Sequence, residues 1–165
     1  AARTNRHEGT KRWDVWMVSA LIALMTAILP VAALDDARFH WSRVPWGVCA
    51  AGYVATLAGL AGTFWAEAVN RFFEPTVRIQ ADRGHVVVDS GPYAIVRHPG
   101  YAFSFLLILG TPLALGSYWA LIPAAACCAV LVARTILEDR TLQAELPGYA
   151  EYARRVPYRL IPGLW

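Results

Sequence analysis

The sequence predicts an all-α, polytopic membrane protein. Hydrophobic residues make up 57% of the 165 residues and charged residues only 16%, with a mean hydropathy of +0.39. A soluble domain carries roughly 25% charged and 45–50% apolar residues. Charges are also absent from three long runs, Val15–Leu34, Val44–Ala66 and Gly100–Ala133. Because these runs leave no polar helix face for water, the composition excludes a soluble domain and a disordered chain.

The first two charge-free runs predict membrane helices at residues 13–34 and 45–66. A bilayer core about 30 Å thick needs about 20 apolar helical residues, and these runs contain 20 and 23. Trp13 and Trp16 are expected at the membrane interface, where aromatic residues are enriched. The second run is rich in Ala and Gly, which allows a neighbouring helix to approach closely. Residues 35–43 are predicted to form a short outer loop.

The third run is too long for one membrane helix. Its 34 residues would extend about 51 Å as a helix, which would require steep tilt. Gly116 and Ser117 divide it, so we predict a hairpin of helices at residues 101–115 and 118–137, the second continuing out of the membrane. A re-entrant hairpin is the alternative. The whole chain, residues 1–165, is predicted to be a single membrane-embedded domain of about four membrane helices.

The basic residues predict the orientation of this domain. With the third run folded as a hairpin, 13 of the 15 Lys and Arg residues, Arg3 and Arg6 among them, lie on one side of the membrane. Cytoplasmic loops carry the excess of basic residues. We therefore expect a multi-pass integral membrane protein with both termini in the cytoplasm.

Two polar regions on that side, residues 77–101 and 134–165, contain the candidate site. A long loop between membrane helices is more often functional than a plain connection. Considered alone, Arg97 could equally be an anchor whose side chain reaches the membrane interface. Asp139 alone could equally belong to a solvated helix face. Together they belong to a set of polar side chains expected to meet at the membrane surface: Gln80, His85, Tyr93, Arg97, His98, Tyr101, Arg134, Glu138 and Asp139.

Other kinds of site are disfavoured by the sequence. Cys49, Cys127 and Cys128 lie in apolar runs without metal-ligand or redox spacing. No HExxH motif, phosphate-binding Gly-rich loop or nucleophile elbow is present, and no His or carboxylate pair has the spacing of a metal site. The net charge of +3 is too small to indicate nucleic acid as a partner.

The polar regions contain two motifs that resemble a known enzyme family. Residues 91–101, GPYAIVRHPGY, resemble the GPY-x3-RHPxY signature of the isoprenylcysteine carboxyl methyltransferase family. Arg134-x3-Glu138-Asp139-x2-Leu142, followed by Tyr149-x2-Tyr152 and Pro162, is similar to that family's R-x3-EE-x2-L, Y-x2-Y and P pattern, with Asp139 in place of the second Glu. The resemblance covers about residues 70–165.

The resemblance implies an integral membrane enzyme that uses S-adenosylmethionine and releases S-adenosylhomocysteine. Members methylate a carboxylate on a lipidated cysteine, and broader relatives methylate lipids or other small acceptors. Longer members also carry helices before the position of Ala1. By position, the resemblance implies that Arg134 binds the acceptor, that Arg134 and Glu138 are catalytic, and that the cofactor contacts Gln80, His85, Val86, Val87, Val88, Tyr93, His98, Pro99, Gly100, Tyr101 and Glu138.

The residue types suit this chemistry. Methyl transfer from a sulfonium needs alignment and exclusion of water, and a carboxylate acceptor is already ionised near neutral pH. Arg134 can hold a carboxylate, although too tight a pair would blunt the nucleophile. Glu138, one turn on, can bind the amino group or ribose of the cofactor, and the Tyr93 and Tyr101 rings can face the sulfonium. An amine acceptor would instead need a deprotonating group such as His98 or Glu138.

We therefore predict methyl transfer from S-adenosylmethionine to a hydrophobic acceptor at the membrane surface, with carboxyl O-methylation of an isoprenylcysteine-like or other lipidic substrate as the first interpretation. One alternative is N-, O- or S-methylation of a phospholipid, quinone or small molecule on the same scaffold. Another is a non-catalytic membrane subunit that uses its Ala- and Gly-rich second helix as a contact surface. The expected partners are the lipidic or isoprenylated acceptor and membrane lipids, without nucleic acid, and the oligomeric state stays open.

Overall fold

The computed structural model describes residues 10–165, and within this range it contains helices and no strand. The all-α prediction is confirmed. Arg3 and Arg6, which contribute to the predicted orientation, lie outside the described residues. The five α-helices are α1 (Arg12–Ala33), α2 (Trp46–Val69), α3 (Pro99–Ala114), α4 (Leu121–Glu145) and α5 (Tyr149–Arg155).

Three of these helices are long and apolar enough to span a membrane. They are α1 with its continuation to Phe39, α2 and α4, whereas α3 is a shorter apolar helix. This confirms a polytopic helical membrane protein. The 16 residues of α3 extend only about 24 Å, so the fourth predicted membrane helix is shorter than the bilayer core.

The first connection is partly helical, so the prediction of an outer loop over residues 35–43 is wrong at its start. The chain continues from α1 as a π-helix over Leu34–Phe39 and leaves the helix at His40, whose φ is +52°. Asp35 in this segment is fully buried. It accepts hydrogen bonds from the Ser42 backbone and side chain at 2.7 and 2.6 Å and from the Ser117 hydroxyl at 2.5 Å. These bonds hold the π-helical segment against the α3–α4 turn.

The predicted break in the third apolar run is confirmed. Helix α3 ends at Ala114, Gly116 takes φ +71°, and α4 starts at Leu121. Helix α4 then packs on α1 and α3 around a buried apolar cluster whose members include Ile28, Ile108, Cys127 and Leu131.

Helix α2 packs closely along α3. The α2 glycines Gly52, Gly59 and Gly62 are buried, and a Cβ atom on Gly59 would lie 2.5 Å from the backbone nitrogen of Leu107. The close approach expected for the small residues of the second helix is therefore made to a helix of the same chain. This face of α2 is consequently not free for a partner subunit.

The polar segments collect at one end of the helices, which we call the polar end: the start of α1, residues 70–98, and residues 134–165. The backbone N–H groups of Arg97 and His98 donate to the carbonyls of Tyr158 and Arg159, each at 3.0 Å. Residues 77–79 and 86–88, whose β-branched residues favour extended structure, do not form strands. Helix α4 continues past Arg134 as predicted, and the two candidate regions pack on each other.

Candidate active site

A pocket opens at the polar end between the 70–93 loop, the start of α3, and helices α4 and α5. It contains about 800 Å³ of empty space, a volume that includes open solvent. Ten of the twelve residues predicted for the site line it: Gln80, His85, Val86, Val87, Val88, Tyr93, His98, Gly100, Tyr101 and Glu138. Pro99 and Arg134 are not among the lining residues. Pro99 is the first residue of α3, where its fixed φ suits a helix start.

Glu138 is the acidic group that α4 presents to the pocket beside α3. Its Oε2 accepts a hydrogen bond from the Tyr101 hydroxyl at 2.5 Å, and its Oε1 lies 4.0 Å from Nδ1 of His98. The His98 and Tyr101 rings are nearly parallel, with centroids 5.7 Å apart. The Glu138 side chain keeps 20% of its surface exposed. It therefore retains the capacity to accept further hydrogen bonds from a ligand.

Asp139, the next residue, is fully buried and joins four segments of the chain. Arg97 binds both of its carboxylate oxygens, at 2.8 and 2.9 Å, and also donates from Nη1 to the Val156 carbonyl at 2.7 Å. This geometry excludes the interpretations of Arg97 as a snorkelling anchor and of Asp139 as part of a solvated face. Four further side chains contact the carboxylate within 3.3 Å: His98, Gln143, Tyr149 and Arg159.

Arg134 lies behind the pocket wall, paired with Asp14 of α1. Its Nε donates to Asp14 Oδ1 at 2.7 Å, and its Nη2 donates to Asp14 Oδ2 at 3.3 Å and to the Pro75 carbonyl at 2.5 Å. The guanidinium carbon lies 5.4 Å from the centroid of the Tyr101 ring, a cation–π contact. Tyr101 thus stands between the predicted acceptor residue, Arg134, and the predicted cofactor residue, Glu138.

The loop wall of the pocket is built around Gln80, which is fully buried. Its amide nitrogen donates to the Phe72 carbonyl at 2.6 Å, and its amide oxygen accepts from Arg83 at 2.7 Å. The Gln80 backbone N–H donates to Nδ1 of His85 at 3.3 Å, a bond that needs this nitrogen unprotonated. Gln80 therefore orders the loop as well as lining the pocket.

Burial lowers the pKa of His85 below its ordinary value, with the positive charges of Arg78 and Arg83 acting in the same direction and Glu74 against them. The hydrogen bond from Arg78 lowers the pKa of Glu74, more strongly than burial raises it. At neutral pH the loop wall thus contains a neutral His85 and an ionised Glu74.

Tyr93 forms a second buried aromatic wall. Burial raises its pKa to about 12, with a hydrogen bond to Asn70 acting against this and the charge of Glu138 in its favour. The Tyr152 hydroxyl donates to the Tyr93 carbonyl at 2.7 Å, and Tyr152 packs edge-on against Tyr149. Helix α5 therefore supports Tyr93 from behind, and the phenol is neutral at physiological pH.

One glycine in the pocket is required by a close contact. A Cβ atom on Gly100 would lie 2.8 Å from the Phe73 ring, so a larger residue here would displace this ring. Gly100, Phe73 and the stretch Val86–Val88 give the pocket an apolar part, whereas Glu138 and His98 give it a polar part. These pocket residues fit S-adenosylmethionine. The apolar walls suit the adenine ring, the carboxylate suits the amino group or ribose, and the aromatic rings suit the sulfonium.

Asp14 is the residue of this region that sequence reasoning missed. It directly precedes the first charge-free run and therefore resembles the polar residues at the start of the chain. Ionisable residues within membrane helices are rare and usually functional, and its position in the first turn of α1 was therefore the available signal. Phe72 and Phe73 were also missed, since aromatic residues near a membrane surface carry no distinguishing pattern. Among the described residues, no group of three or more His, Cys, Asp or Glu is placed to hold a metal ion.

Comparison with known proteins gives two relatives whose sequence identities to this chain are similar. The chain is 28% identical over 147 residues to the cobalt-zinc-cadmium resistance protein CzcN of Cupriavidus metallidurans. It is 26% identical over 151 residues to the nickel-cobalt-cadmium resistance protein NccN of Alcaligenes xylosoxydans xylosoxydans. Each alignment covers 88% of this chain and 62% of the relative, so the chain spans less than two thirds of their length.

A family model gives the more informative match. It extends over residues 50–144, more than half of the chain, and describes the isoprenylcysteine carboxyl methyltransferase family. The matched range includes most of α2, the loop wall of the pocket, α3 and nearly all of α4 with Arg134, Glu138 and Asp139. The chain therefore belongs to the isoprenylcysteine carboxyl methyltransferase family.

Proposed function

We propose that this protein transfers a methyl group from S-adenosylmethionine to a carboxylate on a hydrophobic acceptor, an isoprenylcysteine-like or other lipidic molecule. The observation that carries the proposal is the convergence of both motif halves on one pocket, where Glu138 of α4 bonds to Tyr101 of α3 at 2.5 Å. The excess of basic residues favours the cytoplasmic side for this polar end, where the cofactor is available from water.

The chain's own residues bind and orient the reactants. S-adenosylmethionine supplies an electrophilic methyl group attached to a sulfonium. Glu138 is positioned to accept hydrogen bonds from an amino group or ribose, and Tyr93 and Tyr101 offer aromatic faces to a cation. The buried side chains of Gln80 and Tyr93 close two sides of the pocket, which would limit the access of water to the reacting groups. An ionised carboxylate acceptor needs no general base, so alignment is the main contribution of the site.

The acceptor is assigned to the side of Tyr101 where Arg134 lies. An apolar groove between α1 and α4 is lined by six residues: Trp16, Met17, Ala20, Ala129, Val130 and Ala133. Its apolar lining suits a prenyl or acyl tail, and Arg134, which follows the lining residue Ala133 in α4, suits a carboxylate. A lipid-tailed acceptor would then enter sideways from the bilayer with its polar end at the pocket.

Calorimetry of the purified protein in detergent with S-adenosylhomocysteine tests the cofactor assignment. We expect saturable binding at one site. Absence of binding by protein that still unfolds cooperatively would contradict the proposal.

A panel of acceptors with radiolabelled S-adenosylmethionine tests the acceptor class. It should contain a prenylcysteine with a free carboxylate, its carboxamide, a phospholipid with a primary amine, and a hydrophobic thiol. We expect base-labile label on the free carboxylate only, as a methyl ester requires. Label on the amine or thiol alone would reassign the enzyme to N- or S-methylation. Binding of the cofactor product without transfer to any member would leave a binding subunit.

A further inference from the structure

The buried pair between Asp14 and Arg134 joins the first membrane helix to the candidate site. Asp14 has no exposed surface. Besides its two bonds to Arg134, its Oδ2 accepts from the Val77 backbone N–H at 2.7 Å, and the Val77 carbonyl accepts from the backbone N–H of Lys11 at 3.2 Å. One carboxylate therefore sets the position of Arg134 and of a residue in the pocket wall.

The pair leaves Arg134 with one uncommitted end. Asp14 and the Pro75 carbonyl take Nε and Nη2, whereas no described residue accepts from Nη1. Within residues 10–165, Thr10 Oγ1 is the one fully buried side-chain nitrogen or oxygen without a hydrogen-bond partner. Because Nη1 of Arg134 has no partner either, it must have some accessible surface. The described contacts thus leave the two protons of Nη1 for a ligand.

The number of free donors bears on methyl transfer. A fully charged guanidinium bound bidentately to a carboxylate forms a strong pair. Such a pair would stabilise the ground state of the acceptor and withdraw electron density from the attacking oxygen, which lowers the rate of the chemical step. Prior neutralisation by Asp14 and a single free nitrogen would orient the acceptor without this loss.

We propose that Asp14 is a positioning residue that fixes Arg134, neutralises its charge and leaves Nη1 as the donor to the acceptor carboxylate. This inference rests on the proposed function. It assigns a role in catalysis to a residue of the first membrane helix, outside both sequence motifs.

The substitution Asp14→Asn tests it, because the amide oxygen can still accept from Val77 and from Nη2 of Arg134, while the negative charge and the acceptor for Nε are lost. We expect the KM for the carboxylate acceptor to fall about threefold or more and kcat to fall about tenfold or more, a combination that indicates excess ground-state binding. The Kd of the acceptor, measured by thermophoresis with S-adenosylhomocysteine present, should fall with KM. The Kd of S-adenosylhomocysteine itself should stay within about twofold of wild type.

Asp35→Asn is the matched control, since Asp35 is equally buried near the opposite end of the continuous helical stretch Arg12–Phe39. It should lower the Tm and leave KM and kcat unchanged. A merely structural role of Asp14 would instead lower the Tm, raise KM and weaken cofactor binding together, and that result would overturn the proposal. Unchanged KM and kcat in Asp14→Asn would also overturn it.

Asp14→Glu keeps the inference testable should Asp14→Asn fail to fold. The charge is retained, but the longer side chain displaces the guanidinium, so kcat should fall about tenfold with little change in KM. A wild-type kcat in this variant would contradict the positioning role. Failure of the proposed function and failure of this inference are distinguishable. Wild-type protein that binds no S-adenosylhomocysteine would contradict the proposed function. An active wild type together with an Asp14→Asn variant of unchanged KM and kcat would contradict only the role of Asp14.

Discussion

Asp139 and Arg97 form a bidentate, fully buried ion pair, with Nε and Nη2 of the arginine 2.8 and 2.9 Å from the two carboxylate oxygens. The pair connects residues 42 positions apart, one just before α3 and the other in the extramembrane part of α4. It thus holds the two sequence motifs against each other and places Tyr101 beside Glu138.

The first prediction concerns the stability that this pair provides. Asp139→Asn leaves Arg97 buried without its counter-ion, which should lower the free energy of unfolding by about 3–5 kcal/mol. Equilibrium denaturation in detergent micelles measures this loss. The control is Asp82→Asn, because Asp82 pairs with Arg78 but is 45% exposed, and an exposed pair contributes at most about 1 kcal/mol. Equal losses in the two variants would contradict a structural role specific to Asp139.

The second prediction concerns cofactor binding. Glu138→Gln removes the negative charge that faces the pocket, and a hydrogen bond to a charged group contributes about 1.5–3 kcal/mol. The Kd of S-adenosylhomocysteine should therefore rise about 10- to 150-fold in calorimetry. Glu151→Gln on the exposed surface of α5 makes the same chemical change away from the pocket and should leave the Kd unchanged. A wild-type Kd in Glu138→Gln would place the cofactor elsewhere.

The third prediction concerns the pH dependence of the loop wall. Since burial lowers the pKa of His85 from 6.5, the unfolded chain binds more protons at this residue than the folded chain. The stability from neutral His85 is complete above pH 6.5 and is lost as the pH falls through the folded pKa. The Tm should therefore fall as the pH is lowered below 6.5.

His85→Asn isolates this contribution, because an amide oxygen can accept from the Gln80 N–H but does not titrate. The decrease in Tm on acidification should be smaller in this variant than in wild type. Parallel Tm profiles for the two proteins would show that His85 does not contribute to the pH dependence.

The fourth prediction concerns the packing of α2 on α3. Gly59→Ala places a methyl group against the backbone of Leu107, and overpacking of this kind costs about 1–3 kcal/mol. Gly47→Ala in the same helix is the matched control, because a Cβ atom there has no neighbour within 4 Å. Alanine favours a helix over glycine by about 1 kcal/mol, so this control should keep or raise the Tm. A Gly59→Ala variant as stable as Gly47→Ala would contradict the close helix contact.

The sequence predicted the fold well where the signal was local. The charge-free runs predicted the apolar helices, and glycine followed by serine predicted the turn near residue 116. It erred at residues 35–39, since two acidic residues after an apolar run favour a loop. That segment stays helical because Asp35 is buried by Ser42 and Ser117, and Ser117 lies 82 positions away in the chain.

By itself, the sequence determined the membrane class, the order of the apolar helices and the residue types that meet in the pocket, because hydrophobic runs and motif spacing involve residues that are near one another in the chain. Only the tertiary structure decided which carboxylate neutralises which arginine. Asp14 pairs with Arg134 across 120 positions of the chain. Asp139 pairs with Arg97, although Glu138 is the neighbour of Asp139 in the sequence. Such choices follow from helix packing, because a buried charge requires a partner at hydrogen-bonding distance, and that partner is set by which helix faces come together.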